Sequence, residues 1–109
     1  MSTIALIVAY GTLELEQSQR WAGQRQGPPV LIIGITRQPQ RGCWRVGLSW
    51  QGAPPTWVSA HRLKRAAEAQ VARVGQFIQQ ERCGDQESVT RVAQQLAAYS
   101  DVPVGDGQP

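Results

Sequence analysis

Trp21, Trp44, Trp50 and Trp57 are four of the seven aromatic residues in this 109-residue chain, and all fall within its first 65 positions. Arg20, Arg25, Arg37, Arg41 and Arg45 are interleaved with them. Flat rings alternating with guanidinium groups suit a surface that stacks unpaired bases and pairs with phosphates, base stacking being worth about 1–3 kcal/mol per base. Arg62-Leu63-Lys64-Arg65 adds three cations in four residues, a local positive potential that fits a phosphate backbone. Helical spacing would spread those cations over about 300° of the axis, so one backbone cannot touch all three. The candidate contacts for nucleic acid or a protein partner are therefore Arg20, Trp21, Arg25, Arg37, Arg41, Arg45, Trp57, Arg62 and Lys64. Trp44 and Trp50 share a strand face with Val46 and Leu48 and are expected to fill the core. Trp21, in a polar stretch, is expected to be exposed, and Trp57 is open to either role.

Residues for covalent or metal chemistry are few. His61 is the only histidine, and its neighbouring cations should depress its pKa; a hydrogen bond at an element junction is its expected role. Cys43 and Cys83 could act as nucleophiles only if the fold brought His61 to one of them, so buried free thiols are expected. Two cysteines and one histidine supply neither a disulfide framework nor a four-ligand zinc site. The carboxylate pair Glu14/Glu16 lies on an expected strand, and Asp85/Glu87 at a helix start where the dipole attracts negative charge. The expectation is a noncatalytic protein with no metal and no cofactor.

The formal net charge of +3 hides an asymmetry. Residues 1–65 carry eight basic side chains against two acidic ones, a net of +6, and residues 66–109 carry three against six, a net of −3. A basic binding half joined to an acidic supporting half would look like this, although arginine-favouring codon usage raises the cation count equally well. No segment approaches the roughly 18 apolar residues of a membrane span, and Ile4–Ala9 lacks the basic flank of a signal peptide. A soluble cytoplasmic protein with no membrane partner is expected.

The elements that would position these residues follow from periodicity. Ile4 to Tyr10 is a β-branched run, Thr12 to Glu16 alternates, and Gly11 is expected to bend one long strand through both. Pro28 and Pro29 introduce a strand at Val30–Ile35, Gln38–Gly42 turns, and Cys43–Trp50 alternates as a second strand. Thr56–Val58 begins a third. Ser59 is expected to cap a helix whose stripe runs Leu63, Ala66, Ala67, Val71, Val74, Phe77 and Ile78, with Leu63 turned inward and Gly84 as its stop. Asp85 caps a second helix with Val89, Val92, Ala93, Leu96 and Tyr99 inward.

Val30 to Ala66 resembles the second half of a Src-homology-3-like small barrel, in which a tryptophan-bearing strand, here Trp44-Arg45-Val46-Gly47-Leu48, leads to a short helical turn. Gly27-Pro28, Val30-Leu31, Trp44-Arg45-Val46 and Val58 to Lys64 are similar to the C-terminal DNA-binding barrel of retroelement and transposon integrases. That resemblance covers about a third of the chain and implies backbone contact through Arg37, Arg41, Arg45, Arg62 and Lys64, without the integrase catalytic domain. The barrel is also similar to plasmid-borne type II dihydrofolate reductases, whose pore-lining Val-Gln-Ile-Tyr is Thr56-Trp57-Val58-Ser59 here. Val8 to Leu13 is similar to the Tyr-Gly-Thr-Leu loop of gamma-glutamyl cyclotransferases, without a comparable glutamate.

The expected architecture is a single α+β domain, residues 1–103. A small bent antiparallel sheet or partly open SH3-like barrel (3–58) precedes a two-helix hairpin (59–101), and 104–109 form a flexible tail. Ala60, Ala66, Ala67, Ala69 and Ala72 would permit a homodimer through the hairpin. The expected function is a nucleic-acid-binding or regulatory module using a basic face that groups Arg37, Arg41 and Arg45. The alternative is a protein-interaction adaptor or inhibitor of mobile-element (phage, plasmid or integron) type, with an apolar patch joining Trp21 and Trp57.

Overall fold

The computed structural model describes residues 4–104. Its order is β1 (Ala5–Tyr10), α1 (Thr12–Gln24), β2 (Val30–Gln38), β3 (Cys43–Trp50), β4 (Thr56–His61), α2 (Lys64–Glu81) and α3 (Gln86–Leu96), with one-turn 3-10 helices at Pro39–Arg41 and Ala97–Tyr99. The α+β class stands. The strands form one open sheet in the order β1-β2-β3-β4, not closed into a barrel. The sheet is mixed rather than antiparallel, because β1 pairs parallel with β2 while β2–β3 and β3–β4 are antiparallel.

The parallel pair exists because Thr12–Gln24 is a helix, not the second half of a bent strand. Gly11 adopts φ +92 and ends β1, a conformation glycine reaches without a Cβ penalty. Leu15 and Ala22, two helical turns apart, bury α1 against Val30, Ile32 and Ala9. Leu15 lies on Gly34, where an added Cβ would meet both its methyl carbons at 3.0 Å. α2 and α3 cover the other face, packing on Leu31, Ile33, Ile35, Val46, Leu48 and Val58. Both faces of β2 are thus buried, which explains its unbroken apolar run.

Trp44 and Trp50 pack against the α2/α3 side as expected, half-buried. The opposite face of β3 is not a solvent face: Cys43, Arg45, Gly47 and Ser49 are buried too. The β3–β4 turn carries positive φ at both Gln51 and Gly52, and it docks under α1 through Gln19 Nε2 to the Ala53 carbonyl at 3.1 Å.

β4 runs on through Ser59 to His61, so the helix starts later than expected, at Lys64, with Leu63 in the cap position and no side-chain cap. Ser59 is instead a buried strand residue, and Leu63 is 52% exposed rather than inward. α2 ends at Glu81 with Arg82 in the left-handed conformation, ahead of Gly84. Asp85 does cap α3, its carboxylate accepting from the Ser88 N–H at 2.8 Å in a capping box. Ala60 and Ala67 belong to the core, and Ala69 and Ala72 are exposed. Of the expected tail, 105–109 lie outside the described residues.

Candidate nucleic-acid interface

Strand direction gathers charge at one end of the sheet. β1, β2 and β4 are mutually parallel and finish there, β3 starts there, and the N-termini of α1 and α2 follow β1 and β4. The same end collects Arg37 near the close of β2, Arg41 in the 3-10 turn, Arg45 at the start of β3, and Arg62, Lys64 and Arg65 at the β4–α2 junction. These are six of the chain's eleven cations. No acidic residue occupies the first turn of α2, so nothing on that turn offsets its N–H dipoles.

The register sorts these cations by face. Arg37 pairs with Trp44, which pairs with His61, along a row on the α2/α3 face. The Arg37 guanidinium and the Lys64 ammonium each lie 5.6 Å from the centre of the Trp44 ring, one from β2 and one from the first residue of α2. Arg37, Arg62, Lys64 and Arg65 are all exposed.

Arg45 belongs to the neighbouring row, on the α1 face, and is buried. Its guanidinium stacks 3.8 Å from the centre of Trp57, which lies over Gly47. Burial, and then the nearby Arg41 charge, pull Arg45 below the ordinary guanidinium pKa, and the Cys43 sulfur opposes them weakly. Arg41 is turned to the chain itself, donating to the carbonyls of Val104 at 2.9 Å and of Pro103. Arg37, Arg41 and Arg45 therefore share one end of the sheet but not one exposed surface. Arg45 is corrected to a buried residue because β3 is covered on both sides.

The remaining candidates lie elsewhere. Trp21 is 48% exposed, with Arg25 stacked 5.0 Å from its ring centre. Arg20 is exposed on α1. Trp57 is half-buried in a cleft of about 300 Å³ lined by Thr12, Glu16, Gln19, Thr36, Arg45 and Pro55 among others. At about 100° per residue, Thr12, Glu16 and Gln19 lie on one flank of α1 and Trp21 with Arg25 on the other, so no patch joins Trp21 to Trp57. Thr36 Oγ1, on the cleft wall, has no hydrogen-bond partner among the described residues.

Sequence reasoning missed a buried polar network behind the cationic end. His61 is 1% exposed; its Nε2 lies 2.8 Å from Ser59 Oγ and its Nδ1 3.5 Å from Asp101 Oδ2. Gln70 Nε2 donates to Ser59 Oγ at 3.1 Å and to the Leu96 carbonyl at 2.8 Å. The Ser59 hydroxyl is then left to donate to His61 Nε2, and Nδ1–H to donate to Asp101, which describes a neutral imidazole. Burial holds the His61 pKa below its ordinary value; Asp101 opposes this, and Arg73 adds to the lowering. Asp, His and Ser stand in the order of a hydrolytic triad, but Ser59 is fully enclosed and lines none of the described cavities. The network ties β4 to α2, α3 and the C-terminal segment, so His61 does serve at a junction. Only the long-range partners Gln70 and Asp101 could have revealed it, and no local pattern marks them.

Cys43 and Cys83 are both buried free thiols, with Cys43 Sγ 3.4 Å from Gln38 Oε1. Among the described residues no cluster of histidine, cysteine and carboxylate could hold a metal ion, and no helix is long and apolar enough to cross a membrane. No family model matches the chain, and neither a curated protein nor a solved structure is significantly similar to it.

Proposed function

We propose that the chain is a noncatalytic nucleic-acid-binding module that holds a phosphate backbone at the cationic end of its sheet. The contacts are Arg37, Arg62, Lys64 and Arg65, with Trp44 as the shared platform. One observation carries this reading: Arg37 and Lys64, from separate elements, converge on one half-buried ring beside a helix start with no acidic residue. Two cations held over one indole are limited in side-chain freedom before any ligand arrives, which lowers the ordering cost of binding. The resemblance of Gly27-Pro28, Val30-Leu31, Trp44-Arg45-Val46 and Val58 to Lys64 to integrase DNA-binding barrels favours the same ligand class.

The test is fluorescence anisotropy with a random single-stranded oligonucleotide over a salt series. Four phosphate contacts at about 0.7 each give a log–log slope near −3. Absent binding, or binding indifferent to salt, overturns the reading.

A further inference from the structure

We infer that the free edge of β1 is a self-pairing surface through which two copies of this chain join their sheets. The two edges of the sheet are not alike. The outer edge of β4 is covered at Ala60, which bridges Val102, and its carbonyl accepts from the N–H groups of Asp101 and Val102. β1 is the other outermost strand, with no partner beyond it among the described residues. It reads Ala-Leu-Ile-Val-Ala-Tyr, without a charge, a proline or a bulge, so it carries none of the devices that keep edge strands apart.

Its hydrogen-bond phase can be read from its ends. Ala5 N–H donates to the Pro29 carbonyl and Gly11 N–H to the Ile35 carbonyl, so residues 5, 7, 9 and 11 bond to β2. Leu6, Val8 and Tyr10 therefore turn their N–H and C=O groups outward. This spacing is self-complementary. An antiparallel copy centred on Val8 sets Val8 against its own counterpart and Leu6 against Tyr10 of the second copy, with each pair exchanging both main-chain bonds.

The side chains agree with that register. Leu6 is 38% exposed and Tyr10 50% exposed, both on the α2/α3 face, and the pairing places each beside the other across the junction. On the opposite face, the α1 flank carrying exposed Trp21 is the one turned away from the cleft at β3 and β4, and hence toward the β1 side. A two-fold axis through Val8 would bring α1 of each copy to the same side of the joined sheet, with Trp21 on the facing flank. The occupant is a second copy because hydrogen-bond phase, absence of charge and exposed apolar residues all repeat about one point.

Sedimentation velocity of the full chain at tens of micromolar tests this, together with Leu6→Lys and Tyr10→Lys, both at exposed positions. The expected result is a species of two-chain mass in the parent, shifted to one-chain mass in each variant with an unchanged circular dichroism spectrum. In parallel, amide exchange at Leu6, Val8 and Tyr10 should slow as the parent is concentrated. A parent that stays monomeric, a dimer that survives both substitutions, or exchange indifferent to concentration overturns the inference.

Discussion

Arg37 and Lys64 are separated by the whole of β3 and β4, yet each sets its charge 5.6 Å from the centre of the same ring, that of Trp44. The relationship follows from topology. β4 returns parallel to β2, so the residue that opens α2 arrives beside the residue near the end of β2. Trp44 anchors the pair because its ring is partly buried against the core formed by α2, α3 and the sheet.

Gly47 is the residue that lets Trp57 lie flat. A Cβ at Gly47 would meet Trp57 Cε3 at 2.6 Å, a contact the sheet cannot absorb without moving the ring or the strand. Gly47→Ala should destabilise the chain by about 1–3 kcal/mol, as overpacking does. A fall in the urea midpoint checks this, and an unchanged midpoint would show that the ring moves freely.

Gln70 Nε2 donates to two groups inside the protein, Ser59 Oγ and the Leu96 carbonyl. Gln70→Leu keeps the volume and removes the donors, stranding a buried acceptor, which costs about 1–3 kcal/mol. Equilibrium unfolding of the variant measures that loss. Arg73→Ala, which removes a partly buried bond to Gln70 Oε1 and the stack on Tyr99, should cost less.

Acid should weaken the fold through His61. Its folded pKa lies below the ordinary imidazole value of about 6.5, so the unfolded chain takes up the proton first. The resulting stability is fully present above the ordinary value and is lost as pH falls from there through the depressed folded value. Asp101 and Arg73 are the charges that act on the ring, Asp101 favouring its protonation and Arg73 opposing it. Urea midpoints across this window should decline on acidification in the parent, and His61→Asn should flatten the decline.

Much of β2 and β3 was legible because their signals are local: proline before Val30, an alternating tryptophan face, and Gly42 in the left-handed conformation after the Pro39–Arg41 turn. α1 was not, since its buried stripe is only Leu15 and Ala22, and Leu13 alternates with Leu15 as a strand would. With α1 unseen, the parallel pairing of β1 was unseen, and no element was left to cover the Arg45 face of β3. That single omission placed Arg45 on an exposed surface. Ser59 read as a helix cap because serine accepts N–H bonds at caps; here its hydroxyl is engaged by Gln70 and His61 inside the sheet. The basic character of residues 1–65 was visible from composition, whereas its concentration at one sheet end required strand direction.

If the proposed site holds the polyanion, the position of the cations, not the net charge, decides binding. The direct measurement compares two double charge reversals of equal net charge by oligonucleotide anisotropy: Arg37→Glu with Lys64→Glu at the cationic end, and Arg20→Glu with Arg25→Glu on α1. A shallower salt slope is expected for the first pair, by about 0.7 per lost contact, with a larger loss of affinity than in the second pair. Equal losses in the two pairs would contradict it.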